Sequence, residues 1–304
     1  MSVAGKEVAP VTTISAQHRA RLVVVLVLVV SYMGVEAAAG WLTGSLALIA
    51  DAAHMLTDAA ALSLSLLAVW LAGRPAPARR TFGHYRAEIL AAVANALLMF
   101  AVAAYILWEA YHRFLDPTDV SLVPMIAVAA GGLLVNAVSA WLLHRAAGES
   151  LNTQGAFLEV FADLLASLGV LTAGAVMLVT GWRYADPLIS AGIALFILPR
   201  AWALLRQAMD VLLEATPPHV EVEDVAAALR DVQGVRAIHD LHVWTITSGM
   251  ESVTAHLVLE EGVDAEASQR VLREARRLLD ERFGLDHATL QLETRDLQAS
   301  EVAH

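Results

Sequence analysis

Two short segments place acidic and histidine side chains one helical turn apart within apolar sequence. The segment DAAHMLTDAA contains Asp51, His54 and Asp58, and the segment FLEVFADLL contains Glu159 and Asp163. Residues four positions apart lie on one face of a helix. If two helices bring the pairs together, four side chains can surround a divalent metal ion. The predicted ligands are His54, Asp58, Glu159 and Asp163, with Asp51 behind them on the same helix face.

A network of ion pairs and hydrogen bonds is the alternative interpretation of these residues. Ionisable groups at membrane depth are costly and usually functional. The segments offer only His54 as a cation, so the carboxylates would repel one another without a metal ion. The signs of the charges therefore favour a metal site.

The composition indicates a membrane protein. Of the 304 residues, 58% are hydrophobic and 17% are charged, whereas soluble domains carry about 25% charged residues. The chain contains no cysteine, so His, Asp and Glu must supply any metal ligands. The apolar run that starts at Leu22 is too long for a signal peptide and is expected to remain as a membrane helix.

Six apolar runs are long enough to span a bilayer, which takes about 20 residues. The predicted spans are 19–40, 46–72, 87–112, 121–145, 156–181 and 187–212. They predict a six-helix transport domain over residues 18–213, preceded by a disordered cytoplasmic segment over residues 1–17.

The basic residues predict the orientation, because cytoplasmic loops are enriched in Lys and Arg. One side receives Lys6, Arg19, Arg21, Arg74, Arg79, Arg80, Arg86, Arg145 and Arg206, and the other receives Arg113 and Arg183. Both termini are therefore expected in the cytoplasm, in a multi-pass protein of the inner (plasma) membrane.

A small α+β domain is predicted over residues 214–295, followed by a disordered tail over 296–304. The predicted order is helix, strand, strand, helix, strand, over Val220–Val232, Val235–Thr247, Ser252–Leu259, Ala265–Phe283 and His287–Glu293. Residues 214–304 carry 18 acidic and 8 basic side chains. This charge argues against nucleic acid as a partner.

Four longer motifs resemble the cation diffusion facilitator family, close to its bacterial zinc, cadmium and cobalt exporters. They are GSLALIADAAHMLTDAAALSLSLLA, TFGHYRAEILAAVANALLMF, ILWEAYHRF and IHDLHVWTITSG. The resemblance implies a homodimer of six-helix protomers, each with a cytoplasmic ferredoxin-like domain, that exchanges cytoplasmic metal for protons. It also places the four predicted ligands at the family's transport site.

Glu159 departs from the family pattern, because zinc-type members usually have His at this position. Three carboxylates and one nitrogen form a harder ligand set, which suits Mn(II), Fe(II) or Co(II) better than a His-rich set does. Zn(II) remains the first expected substrate, with Cd(II) also an alternative. Metal ligands must be deprotonated, so metal binding is expected to release protons.

Two weaker features lie near the membrane part. His84 is a candidate ligand for a second metal site in a cytoplasmic loop, but Arg80 four residues earlier is a poor ligand, so this site is expected to be weak or absent. The resemblance implies that Arg86 pairs with Glu214 and joins the membrane part to the soluble domain. Contact between Arg86 and a lipid headgroup is the alternative.

The soluble domain carries a second candidate metal site. By the resemblance, His219, His239 and His256 match ligand-like positions for regulatory Zn(II) at a dimer interface, and Glu293 is a further candidate. Gln291 stands where some family members have His. Ordinary surface histidines are the alternative interpretation.

Three other functions are alternatives to metal export. A metal importer or channel could use the same ligands, and only the resemblance favours export. An intramembrane metalloenzyme usually carries H-E-x-x-H, which is missing, and it needs an open metal position. A membrane-bound sensor would need an output module. The expected function is therefore secondary active transport without a resident cofactor, and not catalysis.

Overall fold

Six long helices form the N-terminal part of the chain. The computed structural model describes residues 16–72, 74, 78–144 and 151–294, with the side chains of 27–60, 63, 67, 70, 71, 74, 78–141 and 160–294. The helices are α1 (Ala16–Thr43), α2 (Leu46–Ala72), α3 (Ala87–Leu115), α4 (Leu122–His144), α5 (Leu151–Thr180) and α6 (Ala185–Leu212). Each corresponds to one predicted apolar run. The predicted disordered ends, apart from residues 16 and 17 in α1, lie outside the described residues.

The helix bounds differ from the predicted spans by up to five residues. The first predicted span ends at residue 40, whereas α1 continues to Thr43 and Gly44 then adopts a φ of 74°. The fifth predicted span begins at residue 156, whereas α5 begins at Leu151. Both Gly40 and Gly155 lie inside helices, where glycine is tolerated more often in membrane proteins than in soluble ones.

The apolar helices identify a multi-pass membrane protein. Within the described residues, four helices are long and apolar enough to cross a bilayer: Ala87–Leu115, Leu122–Trp141, Val160–Thr180 and Ala185–Leu212. The described apolar part of α1, Val27–Thr43, is shorter. The count of six spans therefore stays a prediction.

The chain forms two compact units. The first contains residues 1–62 and 97–201, and the second contains residues 63–96 and 202–304. Helices α2, α3 and α6 contribute residues to both units.

Close helix packing in the first unit depends on glycine. A Cβ atom on Gly132 of α4 would collide with Oε1 of Glu36 on α1, and one on Gly174 of α5 would lie 2.7 Å from Cγ1 of Ile126 on α4. Small residues let membrane helices approach closely enough for van der Waals packing. This packing holds α4 against both α1 and α5.

The first turn of α2 is held by the buried carboxylate of Asp186, near the start of α6. Asp186 accepts hydrogen bonds from Ser45 Oγ at 2.6 Å and from the backbone N–H groups of Leu46 at 2.9 Å and Ala47 at 3.2 Å. Arg113 of α3 places Nη1 3.5 Å from the same carboxylate. Helix N-termini have unpaired N–H donors and a positive dipole end, so an acid here is stabilising. Asp186 therefore ties α2 to α6 and to α3.

The soluble part of the second unit has the predicted order of elements. It contains α7 (Val222–Arg230), β1 (Val235–Thr247), β2 (Met250–Leu259), α8 (Ala265–Phe283) and β3 (His287–Glu293). Strand β2 lies in the middle of the sheet, antiparallel to β1 and parallel to β3. Leu229 of α7, Leu257 of β2 and Leu279 of α8 share one buried core. The predicted small α+β domain is confirmed.

The start of α3 contacts the β1–β2 turn within the second unit. The carboxylate of Glu88 accepts hydrogen bonds from the hydroxyl groups of Thr247 and Ser248. Six residues earlier, the ring of Phe82 meets the ring of His287 at the start of β3, with centroids 5.5 Å apart. Residues 82–88 thus contact one end of the sheet, where the β1–β2 turn and the start of β3 lie close together.

Candidate metal centres

Helices α2 and α5 bring three of the four predicted transport ligands together. His54 Nε2 lies 3.9 Å from Asp58 Oδ2 on the same helix and 3.5 Å from Asp163 Oδ1 on α5. One ligand atom from each residue lies within 4.8 Å of the others. His54 is 2% exposed and Asp163 is 4% exposed, so this cluster lies in the interior of the first unit.

The donor atoms fit a small divalent ion. Bonds of about 2.0 Å in a tetrahedral site separate neighbouring ligand atoms by about 3.3 Å. The two observed separations, 3.5 and 3.9 Å, exceed this by only a few tenths of an ångström. Small side-chain rotations can therefore direct one nitrogen and two carboxylates at a common centre.

Glu159 lies on α5, one turn before Asp163, and its side chain is outside the described residues. Asp51, the expected outer partner, is fully buried. Its Oδ2 accepts a hydrogen bond from Ser167 Oγ at 2.9 Å, and Ser167 accepts one from Asn136 Nδ2 at 3.1 Å. This chain of hydrogen bonds links α2 to α5 and α4, one turn from His54.

Arg200 is a functional candidate that the sequence reasoning missed. Its Nη2 lies 3.3 Å from Oδ1 of Asp58. The expectation that His54 is the only cation among these carboxylates is therefore wrong. Charge alone no longer separates a metal site from an ion-pair network, and the convergence of ligand atoms becomes the stronger argument. The available signal was an arginine in the middle of the apolar run of α6, since ionisable residues in membrane helices usually pair with another group.

A second cluster joins the three strands of the soluble domain. His239 Nε2 lies 3.1 Å from Glu293 Oε2, and His256 Nδ1 lies 3.1 Å from Glu293 Oε1. His239 and His256 are paired across β1 and β2, with ring centroids 5.0 Å apart. The ligand atoms lie within 4.8 Å of one another. Two imidazoles and a carboxylate form a donor set that suits Zn(II).

The other candidates of the soluble domain lie differently. His219 is exposed and faces Glu251, with 3.9 Å between Nε2 and Oε1, and it does not join the cluster of described ligands. Gln291, at the position where some family members have His, donates a hydrogen bond from Nε2 to Oε1 of Glu293 at 2.8 Å. It therefore orients a candidate ligand.

The two weaker candidates near α3 are placed as follows. His84 lies in the turn before α3, where its carbonyl accepts from the N–H of Ala87 at 2.9 Å, and it joins no cluster of metal-ligand type among the described residues. Arg86 Nη2 lies 2.8 Å from Oε1 of Glu214. The structure thus forms the ion pair expected from the resemblance.

Apolar spanning helices, buried nitrogen and oxygen ligands and a small α+β domain together define a membrane transporter of metal cations. Two family models agree: the cation efflux transmembrane domain matches residues 22–213, and the cytoplasmic domain of cation efflux proteins matches residues 217–295. The chain therefore belongs to the cation efflux family, and it is a transporter of divalent metal cations rather than an enzyme.

Known proteins are similar over most of the chain. The metal cation efflux system protein CzcD of Cupriavidus metallidurans is 43% identical, over 93% of this chain and 89% of that protein. A cadmium, cobalt and zinc/H(+)-K(+) antiporter of Bacillus subtilis is 36% identical, over 90% and 88%. The solved metal-bound C-terminal domain of the Cupriavidus CzcD is 36% identical, covers 24% of this chain and 99% of that chain, and has a TM-score of 0.23.

Proposed function

We propose that this chain exports Zn(II) from the cytoplasm in exchange for protons, through a site formed by His54, Asp58, Glu159 and Asp163. The observation that carries the proposal is the convergence of three of these side chains, from two helices, to within 4.8 Å. The name of the Bacillus subtilis relative, which pairs cadmium, cobalt and zinc with H(+)-K(+) in an antiporter, supports both the ion and the exchange.

Proton exchange follows from the ligand types. Imidazole and carboxylate groups bind metal only when deprotonated, so a metal ion and protons compete for the same atoms. Metal taken up on the cytoplasmic side displaces protons, and protons taken up on the outer side displace the metal. The hydrogen bond that Asp51 accepts from Ser167 holds α2 against α5 during this exchange.

Ion preference rests on the fourth ligand. Glu159 supplies a third carboxylate where zinc-type family members usually have His. Because carboxylates favour harder ions, Mn(II), Fe(II), Co(II) and Cd(II) remain alternative substrates of the same site. Orientation follows from the basic residues: both termini are cytoplasmic, in the plasma membrane.

Flux into proteoliposomes tests the proposal. Uptake of Zn(II), Cd(II), Co(II), Mn(II) and Fe(II) is measured separately, with and without an imposed pH gradient. Zn(II) uptake is expected to be the fastest and to increase when the lumen is more acidic than the medium. Protein-free liposomes are the control. Uptake that ignores the gradient contradicts the antiport, and faster Mn(II) than Zn(II) uptake contradicts the ion assignment.

For the soluble domain, we propose regulatory binding of Zn(II) by His239, His256 and Glu293 in a homodimer. Replacing Glu293 with Gln keeps the shape but removes the charged ligand atoms that face both imidazoles. Zn(II) binding at this site is expected to weaken at least about tenfold. The measurement is competition with a metal-sensitive dye, using full-length protein that also carries Asp163→Asn to silence the transport site.

The matched control for this prediction is His219→Ala, which removes an exposed imidazole outside the cluster. It is expected to leave Zn(II) affinity unchanged. Equal affinity in the Glu293→Gln and His219→Ala proteins would contradict the assignment of this site.

A further inference from the structure

The two carboxylate oxygens of Asp58 face different partners. Its Oδ2 faces the imidazole of His54 at 3.9 Å, whereas its Oδ1 is paired with Arg200 Nη2 at 3.3 Å. Arg200 comes from α6, which contributes none of the proposed ligands. The side chain of Asp58 is 19% exposed and that of Arg200 is 39% exposed. One carboxylate therefore joins the metal-ligand cluster to a permanently charged guanidinium.

We propose that Arg200 is a positioning residue that competes with the transported ion for Asp58 and thereby speeds release of the ion. The inference rests on the proposed transport site. It assigns a role to a third helix, α6, in addition to the two helices that carry the ligands.

The charge of Arg200 gives the direction of the effect. A guanidinium stays protonated at all relevant pH values, so it can leave Asp58 only by moving away. A divalent ion held by Asp58 is repelled by this charge, because like charges a few ångströms apart repel each other. With three carboxylates in the site, one guanidinium and one divalent ion produce a neutral assembly. Removal of Arg200 leaves an excess negative charge, which holds the ion more tightly.

The geometry gives a second effect. Because Oδ1 is occupied by Arg200, Asp58 presents mainly Oδ2 to the ion. A one-oxygen contact suits a four-coordinate ion such as Zn(II), whereas two-oxygen contacts are frequent around larger ions of higher coordination number. Pro199 precedes Arg200 in α6. Since proline cannot donate the helical hydrogen bond to the carbonyl of Leu195, the helix is less constrained beside the arginine.

Stability does not account for this ion pair. The attraction within a partly buried ion pair is largely offset by the cost of removing both charges from water, and an arginine in a membrane helix is costly. A role in the release of the ion from the adjacent metal site explains the contact better.

The test is Zn(II) transport by Arg200→Gln and Arg200→Lys proteins in proteoliposomes, with KM and Vmax measured separately. Loss of the charge in Arg200→Gln is expected to lower KM about tenfold and to lower Vmax, because the ion binds more tightly and leaves more slowly. Arg200→Lys keeps a cation near Asp58 and is expected to restore both values to within about twofold of wild type. Arg206→Gln, on the same helix, is the matched control and is expected to behave as wild type.

An unchanged or raised KM in Arg200→Gln overturns the role of Arg200, as does failure of the lysine variant to restore KM. If Arg200→Gln is not recovered folded, Arg200→Met removes the same charge and is judged by the same outcomes. Equilibrium Zn(II) binding in detergent checks the tighter affinity independently. Absence of Zn(II) flux in the wild-type protein would instead contradict the proposed function, so the two failures are distinguishable.

Discussion

Replacing Asp163 with Asn is expected to reduce Zn(II) flux in proteoliposomes about 100-fold or more. The amide has the shape of the carboxylate but lacks its charge, and it binds divalent ions poorly. Asp163 is 4% exposed and lies 3.5 Å from His54, so water cannot easily replace the lost ligand. Substitution of a residue that hydrogen-bonds to a metal ligand lowers metal affinity or activity about 10–100-fold. Loss of a direct ligand should have a larger effect.

The control for this prediction is Asp119→Asn, which makes the same chemical change at an exposed site. Asp119 pairs with exposed Arg183 at 2.8 Å, and such surface pairs contribute about 0–1 kcal/mol. Its flux is expected to match wild type. Normal flux in the Asp163→Asn protein would remove this residue from the transport site and would leave Glu159 as the one proposed ligand on α5.

Replacing Asp186 with Ala is expected to destabilise the protein by about 3–5 kcal/mol, the range for breaking a buried charge pair. The change leaves Ser45 and two backbone N–H groups at the start of α2 without this acceptor. It also removes one of the two acidic partners of Arg113, which keeps Glu109. At about 2–4 °C per kcal/mol for a domain of about 200 residues, the unfolding midpoint should fall by roughly 10 °C. Thermal unfolding of the detergent-solubilised protein, at one fixed scan rate, provides the measurement.

Asp119→Ala is the matched control here, because it removes a carboxylate with one exposed partner. Its midpoint is expected to stay within about 2 °C of wild type. If the Asp186→Ala and Asp119→Ala proteins unfold at the same temperature, the hydrogen bonds at the start of α2 do not contribute the stability inferred from them.

Apolar length and local helix signals predicted much of the architecture. The second amphipathic helix, Ala265–Phe283, was found with its observed bounds, because Asp264 caps its start and Gly284 adopts the left-handed conformation at its end. The ends of α5 were harder to predict. The predicted span begins just after Gly155, yet glycine is tolerated inside membrane helices, and α5 begins at Leu151.

Contacts between elements that are far apart in the sequence could not be predicted from the spacing of residues. The pairing of His54 with Asp58 follows from helix geometry alone, but the addition of Arg200 depends on how α6 packs on α2. Similarly, Asp186 caps the start of α2, although it lies 141 positions after Ser45 in the chain. The parallel pairing of β3 with β2, which brings Glu293 beside the two histidines, depends on the path of the chain around α8. Local propensities carry no information about these arrangements.

The contacts of residues 82–88 have a consequence for the construction of chimeric transporters. A chimera cut between residues 213 and 214 would give Glu88 a foreign β1–β2 turn, Phe82 a foreign partner for its ring, and Arg86 a foreign residue in place of Glu214. The transplanted cytoplasmic domain should therefore be exchanged together with its own 82–88 segment. Such a chimera has three junctions: one before residue 82, one after residue 88 and one between residues 213 and 214. This design keeps the native pairs intact.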